Sequence, residues 1–148
     1  MPRFNFFRFR HFISFSPLSF TEIKMLSEGI AQLFIARIKV SFRTSGKWMP
    51  GYTTRSTLPL SPEMQKEVMA LARIINRLSA YTPWKSTCLV KVLAAHHMLL
   101  KRGITPTIHI GVNKNLSKGI KAHAWLSVEN KVLIGGEELG DFQEISRF

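Results

Sequence analysis

The chain has 148 residues, 45% of them apolar and 20% charged, with a formal net charge of +12. Those proportions fit one compact domain with a sizeable core and exclude a disordered chain. A single cysteine, Cys88, excludes an internal disulfide framework and is compatible with a reducing cytoplasm.

No apolar run is long enough to span a bilayer, and arginines and polar residues interrupt the N-terminus where a secretory signal would be apolar throughout. The charge is uneven: residues 1–55 hold nine Lys/Arg against Glu22 and Glu28, and five of the nine acids fall in the last twenty residues. Asp141 is the only aspartate. A basic balance raises the expectation of an anionic partner without choosing among nucleic acid, membrane surface and acidic peptide.

The first fifteen residues alternate aromatic and basic side chains, Phe4, Phe6, Phe7, Arg8, Phe9, Arg10, His11 and Phe12. They read as a lead-in laying phenylalanines on the domain or on a partner protein, with an interfacial membrane anchor or a nucleic-acid arm as the other uses of such a run. A first helix follows, with Ser19 and Glu22 as a capping box and Leu18 with Ile23 as a hydrophobic staple. Its apolar stripe, Ile23, Leu26, Ile30, Leu33, Phe34 and Ile38, predicts a core-facing side. Residues 41–60, with Gly46, Pro50, Gly51 and Pro59, read as a long linker. This divides the chain into a basic, aromatic N-terminal portion over 1–60 and a core domain over 61–148.

Ser61-Pro62 marks the start of a second helix, an N-cap followed by proline, with Met64, Val68, Leu71, Ile75 and Leu78 on its buried side. The stretch Pro83-Trp84-Lys85-Ser86-Thr87-Cys88-Leu89 then reads as a turn entering a third helix, with Ser86 as N-cap. Cys88 falls in its first turn and shares a face with Val92, Ala95 and Leu99. Unpaired amides and the helix dipole favour a thiolate there. The other reading of a lone cysteine is a small buried hydrophobe. The helix runs to about Lys101-Arg102 and stops at Gly103. His96 and His97 lie on it as structural or surface residues, because the chain offers no full zinc ligand set.

Beyond Gly103 the apolar period changes from helical to two. Residues 107–112 read as a strand, 113–121 as a lysine-rich loop, and 122–128 with 131–134 as two strands around a turn at Glu129-Asn130-Lys131. Helices followed by an antiparallel meander make an α+β fold. Pairing Val128 with Val132 sets Leu126 opposite Ile134 and His123 opposite Glu137. Directly opposed Cβ atoms stand roughly 5 Å apart, close enough for a carboxylate to hold an imidazole in one tautomer. Thiol, histidine and acid then occur in the order that nucleophilic thiol catalysis uses.

The Cys88 block, the helix end Leu99-Leu100-Lys101-Arg102-Gly103-Ile104, the strand Ile108-His109-Ile110-Gly111-Val112 and the block Ala122-His123-Ala124-Trp125 closely resemble the lasso-peptide biosynthesis B protein family. These are transglutaminase-like cysteine peptidases that remove the leader from a lasso-peptide precursor. The resemblance covers about residues 17–145 and is closest to the stand-alone peptidase form. It implies a transglutaminase-like, papain-like core with the nucleophile at a helix N-terminus, in a bacterial, cytoplasmic setting. Cys88 would be the nucleophile, His123 the general base and later acid, and Glu137 the acid, with Asp141 as its alternative. No metal and no organic cofactor is implied. Implied partners are the precursor's leader peptide, a separate leader-binding recognition protein and an ATP-dependent lasso cyclase, with no nucleic acid expected. Two other readings stand beside this one: a transglutaminase-like acyltransferase using the same groups, and a basic module binding nucleic acid or a membrane surface.

Overall fold

A computed structural model of the protein describes residues 20–42, 59–113 and 119–148. The aromatic–basic run, Leu18 of the staple and Ser19 of the capping box, most of the linker and most of the lysine-rich loop lie outside them. Among the described residues, helices α1 (Phe20–Phe42), α2 (Pro62–Ser79) and α3 (Cys88–Leu100) precede strands β1 (Thr107–Asn113), β2 (Ala122–Val128), β3 (Lys131–Ile134) and β4 (Phe142–Arg147). The strands form one antiparallel sheet in the order β3-β2-β1-β4. This is the α+β arrangement expected from the sequence.

α3 is the central element. Val90, Val92, Leu93, Ala94, Ala95, His96, Met98 and Leu99 are all buried on it. It packs against α1 and α2 on one side and β2 on the other. A helix apolar on all sides belongs inside a domain, and this one lies there. At its C-terminal end Gly103, with φ +71°, turns the chain towards β1.

α2 starts as its sequence predicts: Ser61 accepts a hydrogen bond from the Met64 amide at 3.3 Å, and Pro62 is the first helical residue. Val68, Leu71, Ile75 and Leu78 are buried, with Met64 partly so.

The face of α1 departs from expectation. Of its stripe, Leu33 is fully buried and Leu26 half-buried, whereas Ile23, Ile30, Phe34 and Ile38 are exposed. The side that packs is Gly29, Gln32, Leu33 and Ala36. A Cβ on Gly29 would stand 2.8 Å from Leu78 Cδ1, so α2 crosses close over that glycine. Close approach, not apolar bulk, decides which side of α1 turns inward. Leu33 and Ala36 join the same core as α2, α3 and the sheet.

The β2–β3 hairpin also differs in register. The turn is two residues, Glu129 and Asn130, both at positive φ (49° and 66°), as a type I′ hairpin requires. Val128 therefore pairs with Lys131 and Ser127 with Val132. A bulge between Leu126 and Ser127 restores the expected Leu126–Ile134 pair. β3 ends at Ile134, so Glu137 is not paired across a ladder with His123. The chain instead turns at Gly135 and Gly136, passes through a 3-10 turn over Leu139–Asp141, and returns as β4 beside β1.

Candidate active site

The turn that delivers the thiol is held by its own side chains. Thr82 Oγ1 lies 3.2 Å and 3.1 Å from the carbonyl oxygens of Ser79 and Trp84, and 2.9 Å from Ser86 Oγ. Ser86 is thus occupied in the turn, and Thr87 is the N-cap in its place, extended at φ −68° and ψ 168°. Thr87 makes no side-chain cap bond. The first-turn amides of α3 accordingly keep their donors, at the positive end of the helix dipole. Cys88 is the first helical residue, partly buried against the core. The site occupies the place where backbone amides accommodate a developing negative charge.

His123 sits near the start of β2, buried. Its ring is flanked by Phe142 (centroids 4.9 Å apart) and Trp125 (6.1 Å, 22° between planes). Nε2 lies 2.9 Å from the carbonyl oxygen of Gly135. Nδ1 lies 4.0 Å from Glu138 Oε2. Glu137 and Asp141 are exposed on the turn after β3, and among the described residues neither bonds to His123. Among the described residues, no hydrogen bond joins His123 to Cys88. The fold brings thiol and imidazole onto packed neighbours, α3 and β2, and brings Gly135 and Glu138 to the ring.

Two features of this region have no signal in the sequence pattern. One is the Gly135 carbonyl, since a main-chain acceptor has no residue-type signature. The other is a second histidine cluster on the sheet. His109 Nδ1 is 3.1 Å from Glu144 Oε2, its Nε2 is 2.7 Å from Ser127 Oγ, and its ring stacks on Trp125 with centroids 5.4 Å apart. Among the described residues no group of three or more His, Cys, Asp or Glu could hold a metal ion, and no helix is long and apolar enough to cross a membrane.

A central helix opening on a thiol, packed on an antiparallel sheet that carries a histidine, defines a thiol-site α+β domain. The family model of the transglutaminase-like superfamily matches residues 33–147, and the chain belongs to that superfamily, which includes cysteine peptidases and acyltransferases. No curated protein and no solved structure matches the chain.

Proposed function

We propose that the protein is a cysteine peptidase that removes the leader from a lasso-peptide precursor. The observation that carries the reading is Cys88 at the first position of the buried central helix, which packs on the strand bearing His123. His123 takes the proton of the Cys88 thiol. The thiolate attacks the carbonyl of the leader's last residue, and amides at the start of α3 hold the oxyanion. Collapse of the tetrahedral intermediate breaks the C–N bond, and His123 protonates the departing amine of the core peptide. Water, deprotonated by His123, then hydrolyses the thioester and returns the thiol. The group that orients His123 comes from the turn over residues 135–141; of the acids the sequence nominates there, Glu137 and then Asp141, neither bonds to the ring among the described residues.

The leader is presented by a separate recognition protein, and the freed amine is what a cyclase then joins to an acidic side chain of the core. These steps belong in the cytoplasm, and the basic, aromatic N-terminal portion is a docking region for the partner or a membrane surface. Acyl transfer is the neighbouring chemistry, because an amine in place of water would capture the same thioester.

The test is mass spectrometry of a lasso precursor incubated with this protein and a leader-binding partner, with Cys88→Ala as control. One cleavage that the variant lacks is the expected result. Conjugation of an added amine to the leader's C-terminus in preference to hydrolysis would make the protein an acyltransferase. A cut that persists without the thiol, or no cut, would overturn the reading and favour a basic binding module.

A further inference from the structure

Among the described glycines, Gly135 alone meets two requirements together. Its φ is +76°, in the left-handed region. A Cβ there would also stand 2.7 Å from the Ala124 carbonyl oxygen, 3.1 Å from Trp125 Cβ and 3.2 Å from His123 Nε2. The main chain of the turn is therefore pressed against β2 at the histidine itself. The outcome of that approach is the 2.9 Å contact between the Gly135 carbonyl and Nε2.

A carbonyl oxygen can only accept, so Nε2 carries the hydrogen, and a neutral ring then has its lone pair on Nδ1. On the Nδ1 side the nearest carboxylate oxygen among the described residues, Glu138 Oε2, is 4.0 Å away on a side chain 65% exposed, too far for a hydrogen bond. Phe142 and Trp125 limit the ring's tilt, and the carbonyl limits its rotation in plane.

We propose that Gly135 is the positioning residue of His123: its main-chain carbonyl, in the role a carboxylate plays in other thiol and serine sites, fixes the Nε2–H tautomer and leaves Nδ1 to exchange the proton. The catalytic consequence rests on the peptidase reading, whereas the tautomer does not. The carboxylates of Glu137, Glu138 and Asp141 are then dispensable for orienting the ring. Where a carboxylate does hold the base, its amide isostere costs about 10⁴ in kcat. Here the triple variant Glu137→Gln/Glu138→Gln/Asp141→Asn should cost less than about tenfold.

The experiment is a long-range ¹H–¹⁵N spectrum of His123 in the full chain at alkaline pH, assigned with His123→Gln and paired with the cleavage assay. In wild type and in the triple variant, Nε2 should be the protonated nitrogen. Gly135→Ala should lose the single tautomer, and cleavage should fall with it. An Nδ1–H tautomer in wild type, or a tautomer that changes when the three acids are removed, overturns the proposal even if Gly135→Ala fails to fold. A wild-type protein with the Nε2–H tautomer and no cleavage would overturn the peptidase reading alone.

Discussion

Glu144 Oε2 lies 3.1 Å from Nδ1 of His109, so the histidine of this sheet that is hydrogen-bonded to a carboxylate is His109 rather than His123. The contact ties β4 to β1, and the 2.7 Å contact of His109 Nε2 with Ser127 Oγ extends it to β2. Arg147 Nε completes the set, donating to the other oxygen of Glu144 at 2.7 Å. The His109 ring stacks parallel to Trp125, which in turn stacks on His123. His109 is a strut across three strands that braces the aromatic wall of the candidate site.

That role separates the two histidines experimentally. Glu144→Ala should lower stability by about 1–2 kcal/mol, since it removes a charge-assisted hydrogen bond from a partly buried cluster. Cleavage by the folded fraction should fall only a few-fold. His123→Ala should abolish cleavage even by the folded fraction, while removal of the buried ring lowers stability by about 1–3 kcal/mol. Urea titrations beside cleavage rates check both. If the Glu144 variant stays folded and loses as much activity as His123→Ala, the base is His109.

Arg102 joins all three helices at the far end of α3. Its Nη2 donates to Glu28 Oε2 at 2.9 Å, its Nε to Glu67 Oε1 at 2.8 Å and its Nη1 to the Met98 carbonyl at 2.8 Å. Burial alone would raise the Glu28 carboxyl, but the hydrogen bond and charge of Arg102, with Lys101, outweigh it and hold the group below its usual 4.5. A carboxylate depressed in the folded state contributes stability above its unfolded value, and that stability is lost as pH falls through the folded one. Arg102→Leu should therefore cost about 1–3 kcal/mol at neutral pH, between the values for surface and buried pairs. It should also remove part of the stability loss below about pH 4.5. Thermal melts from pH 7 to 3 measure both. An unchanged acid slope would mean that Glu28 is not held by Arg102.

The close crossing of α1 and α2 makes Gly29 sensitive to volume rather than to polarity. Gly29→Leu places side-chain atoms where Leu78 Cδ1 and Ile74 Cγ2 already lie, 2.8 Å and 3.5 Å from its Cβ. Overpacking of this kind costs about 1–3 kcal/mol. Ile30→Ser, one residue along on a half-exposed position, should change stability by less than about 0.5 kcal/mol. Urea midpoints of the pair decide it. A larger loss at Ile30 would mean that the apolar stripe packs after all.

These contrasts explain what could be read from the sequence. α2 was legible because Ser61 and Pro62 are local start signals and its apolar residues occupy one side. Strands β1, β2 and β3 were legible from their alternation, and the placement of Cys88 and His123 followed from the elements that carry them. The helix α1 was legible too, but its packed side was not, because apolar residues occur around most of its circumference and a glycine selects the side that packs. β4 was missed because its alternation is inverted: Ile145 is 61% exposed while Glu144 and Ser146 are partly covered. The expected His123–Glu137 pairing failed at Gly135, where a left-handed φ turns the chain out of the strand.

His96 makes the acid side of the stability curve testable without reference to catalysis. It is 2% exposed on α3, and its Nε2 has no hydrogen-bond partner among the described residues. Burial, with a smaller contribution from the charge of His97, pushes its pKa from 6.5 down to about 4. The unfolded chain therefore binds the proton first, and stability falls as pH drops from about 6.5 towards 4. The loss amounts to about 2 kcal/mol by pH 5 for this group alone. His96→Leu keeps the volume and removes the titration, so its fall in urea midpoint between pH 7 and pH 5 should be smaller by that amount. At neutral pH the variant should match or exceed wild type, because an unpaired buried nitrogen gives way to apolar atoms. Equal acid slopes in the two proteins would place His96 in contact with water and remove it from the core.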